Sequence, residues 1–240
     1  MTSTRPYKGI TLEFDEVKHR FYANGKPVYG VTSITGMIDK SRPLIIWAVG
    51  LAKDHLLGRL YAGEPITEEL ILEACKQHQI RKEEAANKGT LVHQWAEDFI
   101  KGRNPRIPND DEQVRNGIQA FLKWVNDTDI EFIESELPVY SLKYEYAGIL
   151  DLEAKINKKR VIVDFKTSKG IYNDMRYQVA AYQNAREEMT GNTYGNRILV
   201  RFDKETGDFH IHELDNQKAD FKAFLGALAI KRREQELNKY

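Results

Sequence analysis

Apolar residues in the first half of the chain recur every three or four positions, which is the spacing of amphipathic helices. The predicted helices after Ser33 are about Ile45–Leu56, Thr67–Gln79, Arg81–Lys101 and Asp110–Asn126. Trp47 and Trp124 fall at apolar positions of these helices, so we expect both indole rings in the core.

The pattern changes after Asn126 to short runs that are rich in β-branched and aromatic residues, which predicts strands. These runs are Ile130–Tyr140, Tyr144–Ile156, Arg160–Thr167, Arg197–Phe202 and Phe209–Glu213. Two further helices are predicted at about Tyr172–Met189 and Asn216–Asn238. The polar connection Asn157–Lys159 is short enough to join the second and third strands as a hairpin.

An earlier hairpin is predicted near the start of the chain. Asn24-Gly25 separates His19–Ala23 from Lys26–Val31, and this dipeptide suits a type I′ turn. The order of elements predicts an α/β (α+β) fold, with a mixed central β-sheet flanked by helices and an N-terminal helical insertion. Its length suits a single domain over residues 1–240, with a helical part to about 128 and an α/β part from about 129.

Composition narrows the class of protein. The start of the chain is polar and no run approaches the roughly 20 apolar residues of a membrane helix, so we expect a cytoplasmic protein without a membrane partner. Cys75 is the single cysteine, which excludes an internal disulfide and a cysteine-only metal cluster. The 36 basic and 36 acidic residues balance, so any binding of nucleic acid depends on where the basic residues lie.

The strongest chemical signal lies in two predicted strands. The first contains Gly148-Ile-Leu-Asp151, and the second ends in Asp164-Phe-Lys166-Thr167, followed by Ser168. Asp164 and Lys166 share one face of their strand, and Asp151 belongs to its hairpin partner. Two close carboxylates repel each other unless a cation lies between them, and oxygen ligands suit Mg²⁺ or Mn²⁺. The pattern therefore indicates metal-assisted chemistry on a phosphodiester, with Lys166 stabilising the phosphate or orienting water.

A solvated strand face is the alternative interpretation of Asp164 and Lys166, because Asp-x-Lys often occurs by chance. The apolar residues around both charged groups, Ile162, Val163 and Phe165, favour a site.

Four short motifs together resemble the PD-(D/E)xK nuclease superfamily, in its RecB-like branch of phage and mitochondrial genome-maintenance exonucleases. They are Lys88-Gly-Thr-Leu-Val-His93, Gly148-x-x-Asp151, Asp164-Phe-Lys166 and Gln178-x-x-x-Tyr182, and the resemblance spans about Tyr22–Tyr182. It implies a restriction-endonuclease-like core and a DNA substrate, cut from a free single-stranded end.

The resemblance also implies a role for individual residues. His93, Asp151, Asp164 and the carbonyl of Phe165 would bind one or two ions of Mg²⁺ or Mn²⁺, and Lys166 would be the catalytic lysine. Gln178 and Tyr182 lie four positions apart on one helix face and would support the site or touch the DNA backbone.

Several assignments have a structural alternative. His93 lies among apolar residues and is as well explained as a core histidine, whereas a true imidazole ligand would favour Mn²⁺. Glu136 matches an acidic position common in the branch, and Glu97 follows His93 by one helical turn. Substrate contacts are expected from Thr167, Ser168, Lys88 and Arg176, for which a turn cap or a solvated helix face is the alternative.

The sequence excludes two additional features of such a nuclease, an iron–sulfur cluster and a helicase motif. With Cys75 alone there is no four-cysteine iron–sulfur cluster, and no Walker motif is present, so any unwinding would need a helicase or recombination partner. The expected function is metal-dependent DNA hydrolysis in recombination, repair or replication, with a phage setting as a guess. The alternatives are an endonuclease of the same chemistry, an inactive DNA-binding module, and an acid–base enzyme that uses Asp164 and Lys166.

Overall fold

The computed structural model describes residues 3–238, which form nine strands and six helices. The strands are β1 (Ser3–Tyr7), β2 (Ile10–Asp15), β3 (Arg20–Ala23), β4 (Lys26–Gly30), β5 (Ile130–Ser141), β6 (Tyr146–Ile156), β7 (Lys159–Lys166), β8 (Asn196–Phe202) and β9 (Phe209–Leu214). The helices are α1 (Val31–Thr35), α2 (Ser41–Tyr61), α3 (Glu68–Ile100), α4 (Glu112–Asp127), α5 (Asn173–Thr190) and α6 (Gln217–Leu237).

The strands form one mixed sheet in the order β1-β2-β3-β4-β6-β7-β8-β9, with β5 on the other edge of β6. The pairs β4–β6 and β7–β8 are parallel and the remaining pairs are antiparallel. The predicted mixed α/β class is therefore confirmed.

The early hairpin forms as predicted between β3 and β4. Asn24 and Gly25 have φ of 48° and 72°, the two left-handed conformations that a type I′ turn requires. Strands β1 and β2 were not predicted. Only Leu12 is fully buried within β2, so the alternation that marks a strand is weak there.

The predicted helices are wrong at one position, where a break was expected near Ile80. The two helices predicted at Thr67–Gln79 and Arg81–Lys101 are one continuous helix, α3. No glycine or proline lies at the proposed break near Ile80, so nothing in the sequence interrupts the backbone hydrogen bonds there. The next helix, α4, begins as expected, because the carboxylate of Asp111 accepts from the backbone N–H groups of Gln113 and Val114.

Side chains that alternate along β7 divide the core into two layers. Ile162 packs in a cluster with residues of α1, α5 and α6, whereas Val161, Val163 and Phe165 pack in a second cluster with α4 and the last turns of α3. Trp124 is fully buried in the second cluster, as predicted. The sheet is thus covered on both faces, and the polar face of β7 lies under α5.

The chain divides into two compact units, and the division does not follow the predicted boundary near residue 128. One unit comprises Met1–Ile38 with Val92–Tyr240, and the other comprises Asp39–Leu91. In the second unit α2 has no buried side chain, and Trp47 is 38% exposed, so the expectation that Trp47 lies in the core is wrong. None of the helices in residues 3–238 combines the length and apolarity that crossing a membrane requires.

Candidate active site

A gap along one edge of β6 creates the site. Strand β5 follows the opposite edge of β6 for its whole length. On the gapped edge, Tyr146 and Ala147 pair with β4, and residues from Leu152 onward pair with β7. The segment from Gly148 to Asp151 therefore has no strand partner on that edge, because β7 separates from β6 beyond Leu152.

Asp151 fills this gap with its side chain. Its Oδ2 atom accepts a hydrogen bond of 2.7 Å from the backbone N–H of Phe165, which has moved beyond the reach of β6. The carboxylate thus takes the place of a strand carbonyl, satisfies a buried donor and is fixed beside the end of β7. The Phe165 ring lies on the other face of the sheet, in the aromatic cluster around Phe121 and Trp124.

Asp164 is the most exceptional residue of the site. Its side chain is only 1% exposed, and Lys166 forms an ion pair with one of its oxygens. Beyond this contact with Lys166, no group within residues 3–238 donates a hydrogen bond to either Asp164 oxygen. A buried carboxylate with free acceptor sites is costly, and such groups ordinarily have a partner or bind a cation.

The electrostatics of the three groups agree with this arrangement. Burial raises the pKa of Asp164 to about 6; the positive charge of Lys166 opposes this rise and the negative charge of Asp151 adds to it. Burial also raises the pKa of Asp151. For Lys166, burial lowers the pKa, but the charges of Asp164 and Asp151 outweigh it and the net pKa is raised. Lys166 is therefore a cation at neutral pH and cannot act as a base.

A directed chain of hydrogen bonds runs from Lys166 into α5. Lys166 Nζ donates to Gln178 Oε1 at 3.2 Å, and Gln178 Nε2 donates to the hydroxyl of Tyr182 at 2.8 Å. The Tyr182 ring lies against Gly148, where an added Cβ would come within 2.5 Å of Tyr182 Cε1 and 3.2 Å of Val31 Cγ2. Glycine at 148 is thus required by a ring and an aliphatic side chain; the part played by Val31 was not found from the sequence.

His93 reaches the site from the end of α3. Its Nδ1 atom lies 3.8 Å from Asp151 Oδ2, and its ring contacts the edge of Phe165 with 6.1 Å between centroids. Burial, followed by the positive charge of Lys166, lowers the pKa of His93 to about 4. The imidazole is therefore neutral at pH 7, which is the form that binds a metal ion.

Glu136 of β5 lies opposite Asp151 of β6, because the neighbouring pairs are Ser135 with Leu152 and Leu137 with Leu150. Its φ of 51° is left-handed, a strained conformation for a glutamate inside a strand. Burial, then the negative charges of Asp151 and Glu97, raises its pKa to about 8. Glu136 is therefore mostly protonated at neutral pH in the metal-free protein, and its carboxyl group adds little negative charge beside Asp151.

The donors fit a hard divalent cation in chemical type. Asp151 and Asp164 supply carboxylate oxygens, and His93 supplies a neutral imidazole. Within the described residues the Asp164 oxygens are paired with Lys166 alone. As placed, the His, Cys, Asp and Glu side chains of residues 3–238 do not form a ready-made shell of three or more ligands. The carbonyl of Phe165 remains a predicted further ligand.

Two of the other predicted residues, Ser168 and Arg176, make contacts elsewhere. The Ser168 hydroxyl donates to the carbonyl of Gly170 at 2.7 Å, which is the turn-capping alternative, and half-buried Thr167 directly follows β7. The Arg176 guanidinium donates to Asp215 Oδ1 at 2.6 Å, so its contacts are with the start of α6. Lys88 belongs to α3 within the unit Asp39–Leu91 and is half-buried.

Comparison with known proteins adds no assignment to this geometry. No model of a protein family matches the chain, and a search of curated proteins finds no similar sequence. The candidate site therefore depends on its own residues, of which Asp151, Asp164, Lys166, Gln178 and Tyr182 form one connected cluster.

Proposed function

We propose that the protein is a metal-dependent deoxyribonuclease with a restriction-endonuclease-like core. The observation that carries the proposal is Asp164, a carboxylate that is 1% exposed and that, beyond its ion pair with Lys166, accepts no hydrogen bond within residues 3–238. A hard cation explains why the fold keeps such a group beside a second carboxylate.

His93, Asp151, Asp164 and the carbonyl of Phe165 would hold one or two ions of Mg²⁺ or Mn²⁺. When bound, such a cation neutralises the negative charge that builds up on a phosphodiester and makes water more acidic. Asp151 is already oriented for this role by the N–H of Phe165. The neutral imidazole of His93 favours Mn²⁺ over Mg²⁺, because magnesium prefers oxygen ligands.

Lys166 supplies the positive charge next to the reacting phosphate. Its ammonium is held between Asp164 and Gln178, so a phosphate that approaches meets a fixed cation rather than a mobile one. Gln178 is in turn held by Tyr182, which makes these two residues positioning groups for Lys166. Thr167 and Ser168, at the end of β7, are proposed phosphate contacts, as are Lys88 and Arg176; a phosphate would have to displace the ion pair of Arg176 with Asp215.

The proposed substrate is DNA, and the proposed mode is exonucleolytic cutting from single-stranded ends, both supported by the motif resemblance. The site contains no helicase machinery, so a separate helicase or recombination protein would supply unwound strands. This activity belongs to DNA recombination, repair or replication in the cytoplasm of a bacterial or phage-infected cell.

The test is degradation of end-labelled linear single-stranded DNA with Mn²⁺, Mg²⁺ or EDTA, beside an intact single-stranded circle. Lys166→Ala is the inactive variant, and Lys123→Ala, which removes an exposed lysine of α4, is the matched control. We expect loss of the linear strand that requires metal, fails in Lys166→Ala, persists in Lys123→Ala and spares the circle.

Other outcomes identify the alternatives. Cutting of the circle would replace the exonuclease with an endonuclease of the same chemistry. DNA binding without cleavage by any metal would leave a binding module, and activity that survives EDTA would indicate acid–base chemistry by Asp164 and Lys166.

A further inference from the structure

Gly117 of α4 packs against Val92 near the end of α3, and this contact depends on the absence of a side chain at position 117. Gly117 is buried on α4, and a Cβ added there would lie 2.7 Å from Val92 Cγ2 and 3.3 Å from Val92 Cγ1. To reach an ordinary contact of 3.4 Å, Val92 would have to move by about 0.7 Å, the difference between 3.4 and 2.7 Å. A side chain at position 117 therefore forces Val92 to shift or to change its rotamer.

The backbone of α4 gives no reason for a glycine at this position. Gly117 lies inside a regular helix and is not among the residues of positive φ, so alanine is the better helix former there. Other helical glycines differ. Gly226 in the middle of α6 has open space around its Cβ position, with nothing within 4 Å. Close packing explains Gly117 and does not explain Gly226.

Val92 links this packing to the candidate site, because it directly precedes His93 on α3. Val92 is 1% exposed in the core layer of α4, whereas the His93 ring projects to 3.8 Å from Asp151. An α-helix is stiff over neighbouring residues, so a displacement of Val92 also displaces His93. A misplacement approaching 1 Å can cost an enzyme on the order of 100-fold in rate.

We propose that Gly117 is a positioning residue that sets the distance between His93 and Asp151. Its effect on catalysis rests on the proposed function, whereas its effect on the place of His93 does not. Gly117 touches no substrate and contributes no chemical group; it acts only by allowing α4 to approach Val92.

The test combines Gly117→Ala with Val92→Ala, because the second change removes the two methyl groups that the new Cβ would meet. Four proteins are compared with wild type: Gly117→Ala, Val92→Ala, the double variant, and Gly226→Ala as the matched helical control. Nitrogen-15 NMR of the imidazole groups reports the environment of His93 without reference to activity. Single-turnover cleavage of single-stranded DNA with Mn²⁺ reports catalysis.

We expect Gly117→Ala to shift the His93 resonances and to lower the cleavage rate about 10-fold or more, with little change in KM. The double variant should return both readings to those of Val92→Ala, and Gly226→Ala should match wild type. If Gly117→Ala does not fold, Val92→Ile overfills the same contact from α3 and should give the same two changes.

Unchanged His93 resonances in a folded Gly117→Ala protein would overturn the proposal, as would changes that Val92→Ala does not reverse. A wild-type protein without nuclease activity would contradict the proposed function instead. In that case the NMR comparison would still decide whether Gly117 positions His93.

Discussion

Two buried acidic side chains on neighbouring strands, Glu153 of β6 and Asp164 of β7, are treated by the fold in opposite ways. Glu153 is fully buried, and its two oxygens meet Arg160 Nη1 at 2.5 Å and Arg186 Nε at 2.7 Å. Arg186 also lies 3.4 Å from Glu134. Asp164 is buried almost as deeply, but beyond its ion pair with Lys166 neither oxygen accepts a directed hydrogen bond within residues 3–238.

Helix α5 contributes side chains to the surroundings of both acids, so the two can be compared within one packing environment. It directs Arg186 towards Glu153. About two turns earlier it directs Gln178 towards Lys166, and one turn earlier it places Tyr182 as the acceptor of the Gln178 amide. A buried charge is costly unless it is paired. We therefore interpret Glu153, which is paired with two arginines, as a residue that stabilises the fold. The second carboxylate, Asp164, has Lys166 alone as its partner among the described residues and is the group for which we propose a bound cation.

The largest difference is expected in catalysis. Asp164→Asn or Lys166→Ala should lower the single-turnover rate of DNA cleavage by on the order of 1000-fold or more, because each change removes a charge beside the reacting phosphate. Glu153→Gln should leave the rate per folded molecule within about 3-fold of wild type. A comparable loss in Glu153→Gln, measured on protein of verified fold, would remove the distinction between the two acids.

For the free energy of unfolding the order is opposite: the larger loss is expected at the Glu153 ion pairs and not at Asp164. Arg186→Met should lower the free energy of unfolding by about 3 kcal/mol or more, because Glu153 would remain buried with one arginine instead of two. Asp164→Asn should not lower it. Denaturant unfolding in EDTA measures both, and equal destabilisation of the two variants would contradict the comparison.

The raised pKa of Asp164 also predicts how the stability of the protein depends on pH. In the metal-free protein the pKa of Asp164 is raised from 3.8 to about 6, so the folded state holds this proton more tightly than the unfolded state. Its contribution to stability is complete below about pH 4 and is lost as the pH rises through about 6. The two pKa values differ by 2.2, which at about 1.36 kcal/mol per pH unit corresponds to roughly 3 kcal/mol as an upper bound.

Unfolding in EDTA at pH 4.5 and at pH 7.5 checks this sign. Wild type should lose more stability over that range than Asp164→Asn, which cannot ionise at this position. The same loss in both proteins would show that Asp164 is not held in an unfavourable environment.

The smallest expected effect concerns the hydrogen bonds from Lys166 to Gln178 and from Gln178 to Tyr182. Tyr182→Phe keeps the ring that packs against Gly148 but removes the acceptor of the Gln178 amide. We expect about 1 kcal/mol of lost stability and a rate reduced by about 3- to 10-fold, because Gln178 holds Lys166 less firmly. Asn184→Ala, two residues further along α5, removes an amide that donates to Glu188 and to the Tyr146 hydroxyl; it is the control and should not change the rate. A change in KM alone would move Tyr182 from positioning Lys166 to contacting substrate.

Much of the fold and the centre of the site could be predicted from the sequence. Period-two runs placed β5 to β9, and alternation along β7 placed Asp164 and Lys166 on one face. Asn24-Gly25 predicted its turn because few dipeptides tolerate two left-handed residues. These features are local, and local spacing is what a single sequence contains.

The features that escaped prediction depend on tertiary context. The break between β6 and β7, which leaves Gly148 to Asp151 without a strand partner, has no signature in either strand alone. Arg176 looks like a phosphate contact in sequence, but Asp215 lies 39 residues away along the chain and pairs with it. The apolar positions of α2 predicted a buried face and correctly predicted a helix, yet the helix has no buried side chain.

The most direct test of a cation site at Asp164 is Mn²⁺ binding by calorimetry at pH 7.5 to wild type, Asp164→Asn and Glu153→Gln. We expect wild type and Glu153→Gln to bind Mn²⁺ with similar affinity, and Asp164→Asn to bind it about 10- to 100-fold more weakly because a charged ligand is lost. Absence of binding to wild type, or equal binding to wild type and Asp164→Asn, would contradict the claim that Asp164 is kept buried for a cation.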